Sequence, residues 1–143
     1  MKIRTIFLIA SLATIATFSG IVRAEDKPAK PEAAAAAAKH KNVNPEAFDK
    51  LRSDKNSVVL DVRTKKEYQE GHIPGSVLID FNSPDFEKQI AKLDKSKTYL
   101  VHCAAGRRSA RACEKMDALD FSKVYNLEGG MGAWKKAGKP VEK

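Results

Sequence analysis

The sequence predicts one α/β domain, with a central parallel sheet of about five strands and helices on both faces. Short apolar runs alternate with segments of helical pattern along residues 42–143, which is the order of elements in a parallel sheet. The runs, such as Ser57–Val62, lack the polar alternation of a half-exposed strand, so they predict strands that are buried on both faces. With 143 residues, the chain has room for one ordinary domain.

The individual elements follow from local signals. Asn44 followed by Pro45 predicts the start of the first helix. Thr64 is the predicted N-cap of a second, short helix, and Ser83-Pro84 predicts the start of a third. The predicted strands are residues 57–62, 76–79, 98–102 and 123–126. Besides the third helix, which begins at Ser83-Pro84, the predicted helices are residues 44–51, 65–69, 108–119 and 132–137.

The N-terminal residues predict export. Lys2 and Arg4 precede a long apolar stretch, and Val22-Arg23-Ala24 is typical of a signal-peptidase site. We therefore predict that residues 1–24 are a signal peptide, that the protein is periplasmic or secreted, and that it is free of the membrane after cleavage. A retained membrane anchor is the alternative, because the apolar stretch is nearly long enough to span a bilayer.

Residues 25–41, rich in Ala, Lys and Pro, predict a linker, and residues 42–143 are then the domain. The formal net charge of +8 falls to +5 when Lys2, Arg4 and Arg23 are removed with the signal peptide. A mildly positive protein favours small anionic molecules. Because no basic run is interleaved with aromatic residues, nucleic acid is not a predicted partner.

Cys103 directly follows the predicted strand 98–102, at the sheet edge where parallel α/β folds place their chemistry. The backbone N–H groups of a tight loop and the positive end of the next helix form a cradle for an anion. The same surroundings lower the pKa of a cysteine. We therefore predict that Cys103 is a reactive, catalytic thiolate. The residues predicted to bind its anionic substrate are Ala104, Ala105, Gly106, Arg107, Arg108 and Ser109.

Cys113 is the second cysteine, and an exported protein with two cysteines suggests one disulfide. Cys113 lies about five residues into the predicted helix, which is ~7–8 Å along the axis from the loop. Bridged cysteines need Cα atoms within ~7 Å. We therefore predict that Cys113 packs in the core beside Ala112 and Met116 and forms no disulfide.

Several charged and aromatic residues outside the loop are predicted to have structural roles. Asp61 and Arg63, together with Glu67, are predicted to form a buried ion pair, and a role of Asp61 in lining the site is the alternative. His102 is expected to point to the opposite face of the sheet from the reactive cysteine, so a Cys–His pair is not predicted. Trp134 is predicted to pack in the core. The three histidines lack metal-ligand spacing, so no metal site is predicted.

Three parts of the sequence together resemble the single-domain rhodaneses, which are thiosulfate sulfurtransferases. The segment Cys103–Ser109 resembles the active-site loop of that family. Val59–Arg63, Glu67-Tyr68 and Gly71–Ser76 resemble its first long signature, and Tyr125–Trp134 resembles its closing signature. The similarity extends over residues 42–139. One departure is Asp120, where relatives usually carry glycine, and the resemblance therefore implies a positive φ at this residue, which Asp tolerates better than most.

The resemblance implies a rhodanese-like domain that transfers sulfane sulfur through a persulfide on Cys103. The implied donor is thiosulfate or a related anion, and the implied acceptor is a thiol, a protein thiol, or cyanide in an assay. It implies no cofactor, and we expect a monomer. A non-catalytic rhodanese-like binding or sulfur-carrier module is the alternative.

A phosphatase or an arsenate reductase is a further alternative, because these enzymes use a similar loop. Cysteine-dependent phosphatases have five residues between Cys and Arg, whereas Arg108 follows Cys103 after four, and Ser109 occupies the next position. The smaller ring of N–H groups is expected to fit the terminal sulfur of a persulfide and to crowd a phosphate. The loop therefore favours sulfur chemistry.

Overall fold

A computed structural model describes residues 38–143, and a five-stranded parallel sheet is central to this part of the chain. The strands are β1 (Lys41–Val43), β2 (Ser57–Asp61), β3 (Val77–Leu78), β4 (Thr98–His102) and β5 (Val124–Leu127), and their order in the sheet is β1-β5-β4-β2-β3. The helices are α1 (Pro45–Arg52), α2 (Lys65–Gln69), α3 (Phe86–Ala91), α4 (Arg107–Ala118) and α5 (Gly130–Lys136). The predicted fold class is confirmed.

Helices cover both faces of the sheet. Alternate residues of a strand point to opposite faces, so the sheet packs against two separate apolar cores. Along β4, Val101 packs in one core with Met116 of α4, while Leu100 packs in the other with Phe48 of α1 and Trp134 of α5. Trp134 is fully buried and donates a hydrogen bond from its indole N–H to a backbone carbonyl 2.8 Å away. It packs in the core, as predicted.

The strand β1 was not predicted, and its first residue was assigned to the linker. Lys41 pairs with Tyr125 in a parallel register along β5. Just before it, the backbone N–H groups of Lys39 and His40 donate to the carboxylate of Asp117, at 3.1 and 3.2 Å. Ordered contacts of the domain therefore begin before residue 42. The signal peptide and most of the linker lie outside the described residues and stay predictions.

The helix α3 begins later than predicted. The N–H of Phe86 donates to the carbonyl of Ser83 at 3.1 Å, so Ser83-Pro84 lies in a turn that precedes the helix. The last helix, α5, begins two residues earlier than predicted, because Gly129, with φ of 71°, is already its N-cap. Ends of other elements differ from prediction by one or two residues.

Two predicted helix caps and one backbone conformation are confirmed. Asn44 accepts a hydrogen bond from the N–H of Ala47, and Thr64 and Glu67 form a capping box. Asp120 has φ of 62°. Within residues 38–143, no helix is both long and apolar enough to cross a membrane.

Candidate active site

The strand β4 ends at His102 and places Cys103 at the carboxyl edge of the sheet. The ring of His102 packs edge-on to Phe48 in one core, while Cys103 belongs to the other core. Neighbouring strand residues point to opposite faces, so the structure rules out a Cys103–His102 pair, as predicted. His102 is fully buried, and burial lowers its pKa to about 4, although the carboxylate of Asp61 opposes this shift.

The sulfur of Cys103 faces hydrogen-bond donors of its own loop. The N–H of Gly106 lies 3.1 Å from Sγ, and the hydroxyl of Ser109 lies 3.4 Å from it. Burial alone would raise the pKa of the thiol. The Ser109 hydroxyl and the backbone N–H groups of Ser109, Ala105 and Gly106 outweigh burial and lower the pKa. The loop therefore favours a thiolate at Cys103.

The N–H groups are available to the sulfur because the loop carbonyls point away from it, toward the start of α5. The N–H of Met131 donates to the carbonyl of Cys103 at 2.7 Å, and that of Gly132 donates to the carbonyl of Ala104 at 3.1 Å. Gly130 lies against the same two residues, and a Cβ there would come within 2.4 Å of the Cys103 carbonyl oxygen. The first turn of α5 thus fixes the loop from behind.

A small cavity of about 170 Å³ opens above the loop. The residues that line it are Cys103, Ala104, Ala105, Arg107 and Arg108. Cys103 is only 2% exposed, so a substrate must enter this cavity to meet the sulfur. The side chain of Arg107 is exposed and forms no ion pair with any of residues 38–143. It can therefore contact an incoming anion.

Arg108 has a carboxylate partner, which the sequence analysis did not foresee. Its guanidinium donates to both carboxylate oxygens of Glu67, at 2.9 and 2.6 Å. Glu67 had been predicted to join Asp61 and Arg63, and this prediction is wrong. Its carboxylate also accepts from Thr64, so the capping box of α2 holds it toward α4.

Asp61 and Arg63 form the predicted buried ion pair without Glu67. The guanidinium contacts the Asp61 carboxylate at 2.6 Å and also donates to the carbonyl of Gly71 at 2.9 Å. Asp61 is fully buried and does not line the cavity above Cys103. This pair joins the end of β2 to the end of α2, which is a structural role.

The two cysteines are separate in the structure, and neither forms a disulfide. Cys113 is fully buried within α4 and packs in the core, as predicted. Burial raises the pKa of its thiol, so this sulfur stays protonated. The reactive and structural cysteines are thus distinguished by their surroundings.

Replacing Ser109 by alanine is expected to raise the pKa of Cys103, because a donor to the thiolate is lost. The measurement is the rate of Cys103 alkylation as a function of pH. Ser122→Ala, at an exposed loop position, is the matched control. The Ser109 hydroxyl also lies 3.1 Å from the carbonyl of Gly106. An unchanged pH profile would show that the Ser109 hydroxyl donates to the Gly106 carbonyl and not to the Cys103 sulfur.

Replacing Glu67 by glutamine is expected to lower the free energy of unfolding at pH 7 by about 1–3 kcal/mol, because a charged bidentate contact is lost. Hydrogen bonding from Arg108 lowers the pKa of Glu67 from 4.5 to about 2. This stabilisation is complete above pH 4.5 and is lost as the pH falls toward 2. The difference between wild type and variant should therefore be smaller at pH 3 than at pH 7. Urea denaturation measures it.

Glu70→Gln is the control for this prediction, since Glu70 is exposed and forms no ion pair within residues 38–143. A loss that is equal at both pH values would show that the charge of Glu67 does not contribute.

The fold and the loop together define a class of protein. A thiolate at the end of a parallel strand, surrounded by backbone N–H groups ahead of a helix, is typical of cysteine-dependent transfer enzymes.

Comparison with known proteins narrows this class. Residues 44–137 match the model of the rhodanese-like domain, and the chain therefore belongs to the rhodanese-like family. The putative sulfurtransferase YtwF of Bacillus subtilis is 38% identical over 92 residues, which are 64% of this chain and 86% of that protein. The thiosulfate sulfurtransferase GlpE of Pseudomonas savastanoi is 38% identical over 96 residues, which are 66% of this chain and 87% of that protein.

Solved structures agree with the family. A rhodanese-related protein from Thermoplasma volcanium superposes with a TM-score of 0.64 at 32% identity, over 71% of this chain and 97% of that one. The resemblance found in the sequence is confirmed, and the relatives indicate an enzyme of the sulfurtransferase type.

Proposed function

We propose that this protein transfers a sulfane sulfur from thiosulfate, or a related donor, to a thiol acceptor through a persulfide on Cys103. The observation that carries the proposal is the set of N–H and O–H donors around the Cys103 sulfur, which lowers its pKa at the bottom of a small cavity. Such donors stabilise a sulfur anion in both the resting thiolate and the persulfide.

In the first half-reaction, the thiolate of Cys103 attacks the outer sulfur of thiosulfate. A bond forms between Sγ and that sulfur, the bond to the inner sulfur breaks, and sulfite leaves with the electron pair. Arg107 is the cation best placed to hold the anionic donor, since it lines the cavity and forms no ion pair within the described chain. The persulfide then lies where the loop N–H groups converge.

In the second half-reaction, an acceptor thiolate attacks the terminal sulfur of the persulfide. The new sulfur–sulfur bond forms on the acceptor, and Cys103 leaves as a thiolate. Because the sulfur anion is stabilised before and after each step, this double displacement needs no cofactor.

Phosphate or arsenate chemistry is less well supported by the same geometry. Arg108 is the arginine that ends the loop, and its guanidinium is held by both oxygens of Glu67. In a phosphate site, a bidentate arginine would face the anion instead. Because Arg108 is paired with Glu67 and the loop is short, the ring of N–H groups is better suited to the single terminal sulfur of a persulfide than to a phosphate group.

We also propose that the mature protein is exported and begins near Glu25. The support comes from the sequence of residues 1–24, which lie outside the described structure. Cell fractionation with N-terminal sequencing tests it. A full-length chain in the membrane fraction would indicate a retained anchor instead.

Intact-mass measurement after incubation with thiosulfate tests the proposed reaction. We expect a gain of one sulfur atom on the protein, its loss on addition of a thiol, and continuous turnover when both are present. A protein that gains sulfur without turnover would be a carrier. The absence of any gain with thiosulfate or another sulfane donor would contradict the proposal.

A further inference from the structure

A groove between α3 and α4 lies outside the reaction described above. It has a volume of about 330 Å³, with Phe81 and Phe86 contributing its apolar lining and Arg111 and Lys115 its basic side. The guanidinium of Arg111 lies 5.2 Å from the centre of the Phe81 ring. Stacking of this kind orients a guanidinium and leaves its N–H groups free to bind a carboxylate.

One face of α4 contributes basic residues both to the Cys103 cavity and to the groove. Arg107, which lines that cavity, is followed at four-residue intervals by Arg111 and Lys115, and residues so spaced lie on one helix face. We call these three residues the basic strip. It extends ~12 Å along the helix axis.

The charge of the basic strip is only partly compensated. Lys115 is paired with Glu87 of α3. Arg107 and Arg111 are both exposed, and neither forms an ion pair with any residue of the described chain. Of the two free guanidinium groups, that of Arg107 therefore lines the Cys103 cavity and that of Arg111 lines the groove.

We propose that the basic strip and the groove bind an acidic segment of a protein thiol, which is the acceptor of the Cys103 sulfur. This inference rests on the function proposed above. An extended chain advances ~3.3 Å per residue, so about two residues of an acceptor span the axial distance from Arg107 to Arg111, and about four span that from Arg107 to Lys115. An acidic side chain at the first distance would meet Arg111, and an apolar one would meet Phe81.

The transfer itself follows the second half-reaction. The acceptor thiol loses its proton to solvent, its sulfur bonds to the terminal sulfur of the persulfide, and the Cys103 thiolate is released. Small acceptors such as cyanide fill only the cavity at Cys103. A chain that continues along α4 gains contacts which such molecules cannot make.

Two synthetic peptides test the proposal. One contains a cysteine followed by glycine, glutamate, leucine and glutamate, and the other has lysine in place of each glutamate. We expect the wild-type protein to transfer sulfur to the acidic peptide with a kcat/KM about tenfold higher, as one charge-assisted contact implies. Raising the salt concentration should reduce this preference.

Arg111→Glu is expected to abolish or reverse the preference. Lys50→Glu, the same change of charge at an exposed position on α1, should leave the preference intact. Equal use of both peptides by the wild type, or equal effects of the two substitutions, would overturn the docking proposal. Each of these results is a ratio of kcat/KM values for the two peptides, so it tests docking alone. Failure of the proposed function would be detected separately, as the absence of a persulfide on the wild-type protein.

Discussion

Replacing Cys103 by serine is expected to reduce sulfur transfer by about a thousandfold or more, because a serine hydroxyl is not ionised at neutral pH and cannot hold a persulfide. The variant should fold, since serine is close in size and its oxygen can accept the hydrogen bond from Gly106. Steady-state turnover with thiosulfate and a thiol, together with intact mass, measures the effect.

Cys113→Ser is the matched control. Its thiol is fully buried, and burial raises its pKa, so it takes no part in the proposed chemistry. We expect this variant to lose some stability, since it buries a hydroxyl, but to keep most of the activity. An equal loss of activity in both variants would indicate a mechanism that uses two thiols.

Gly130→Ala is expected to lower the free energy of unfolding by about 3 kcal/mol and to impair sulfur transfer strongly. Gly130 has φ of 56°, and an added Cβ would lie 2.4 Å from the carbonyl oxygen of Cys103 and 2.8 Å from the carbonyl carbon of Ala104. The methyl group would push the loop away from α5 and turn its N–H groups off the sulfur. Chemical denaturation and the pH profile of Cys103 alkylation measure the two effects.

Gly138→Ala separates backbone strain from the collision with the loop. Gly138 has φ of 67°, yet a Cβ there has no neighbour within 4 Å. It should cost only about 1 kcal/mol and leave the thiol unchanged. If Gly130→Ala were no worse than Gly138→Ala, the contact between α5 and the loop would be dispensable.

Most of the fold could be predicted because its strands carry strong local signals. The strand β4 was predicted with its exact bounds, since five residues that suit a buried strand end directly at the loop. The strand β1 could not be predicted, because Lys41-Asn42-Val43 contains a single apolar residue. Its formation depends on pairing with β5, more than 80 residues later, and local pattern carries no information about that partner.

The site was predictable at Cys103 and less so around it. Glu67 lies four residues after Arg63, so local spacing suggested that these two would interact. The capping box with Thr64 instead turns the carboxylate toward Arg108, 41 residues away in the sequence. The support that α5 gives to the loop carbonyls is equally invisible in the sequence, apart from the adjacent glycines that begin that helix.

The contacts of Lys39 and His40 with Asp117 fix the place at which the described chain begins on the surface of the domain. Asp117 is near the last turn of α4, a helix of 12 residues that begins at the Cys103 loop and is therefore ~18 Å long. The described chain thus starts at the end of the domain opposite to the reactive sulfur. Immobilised through a linker ahead of residue 38, the domain would present the mouth of its cavity outward, accessible to large reaction partners.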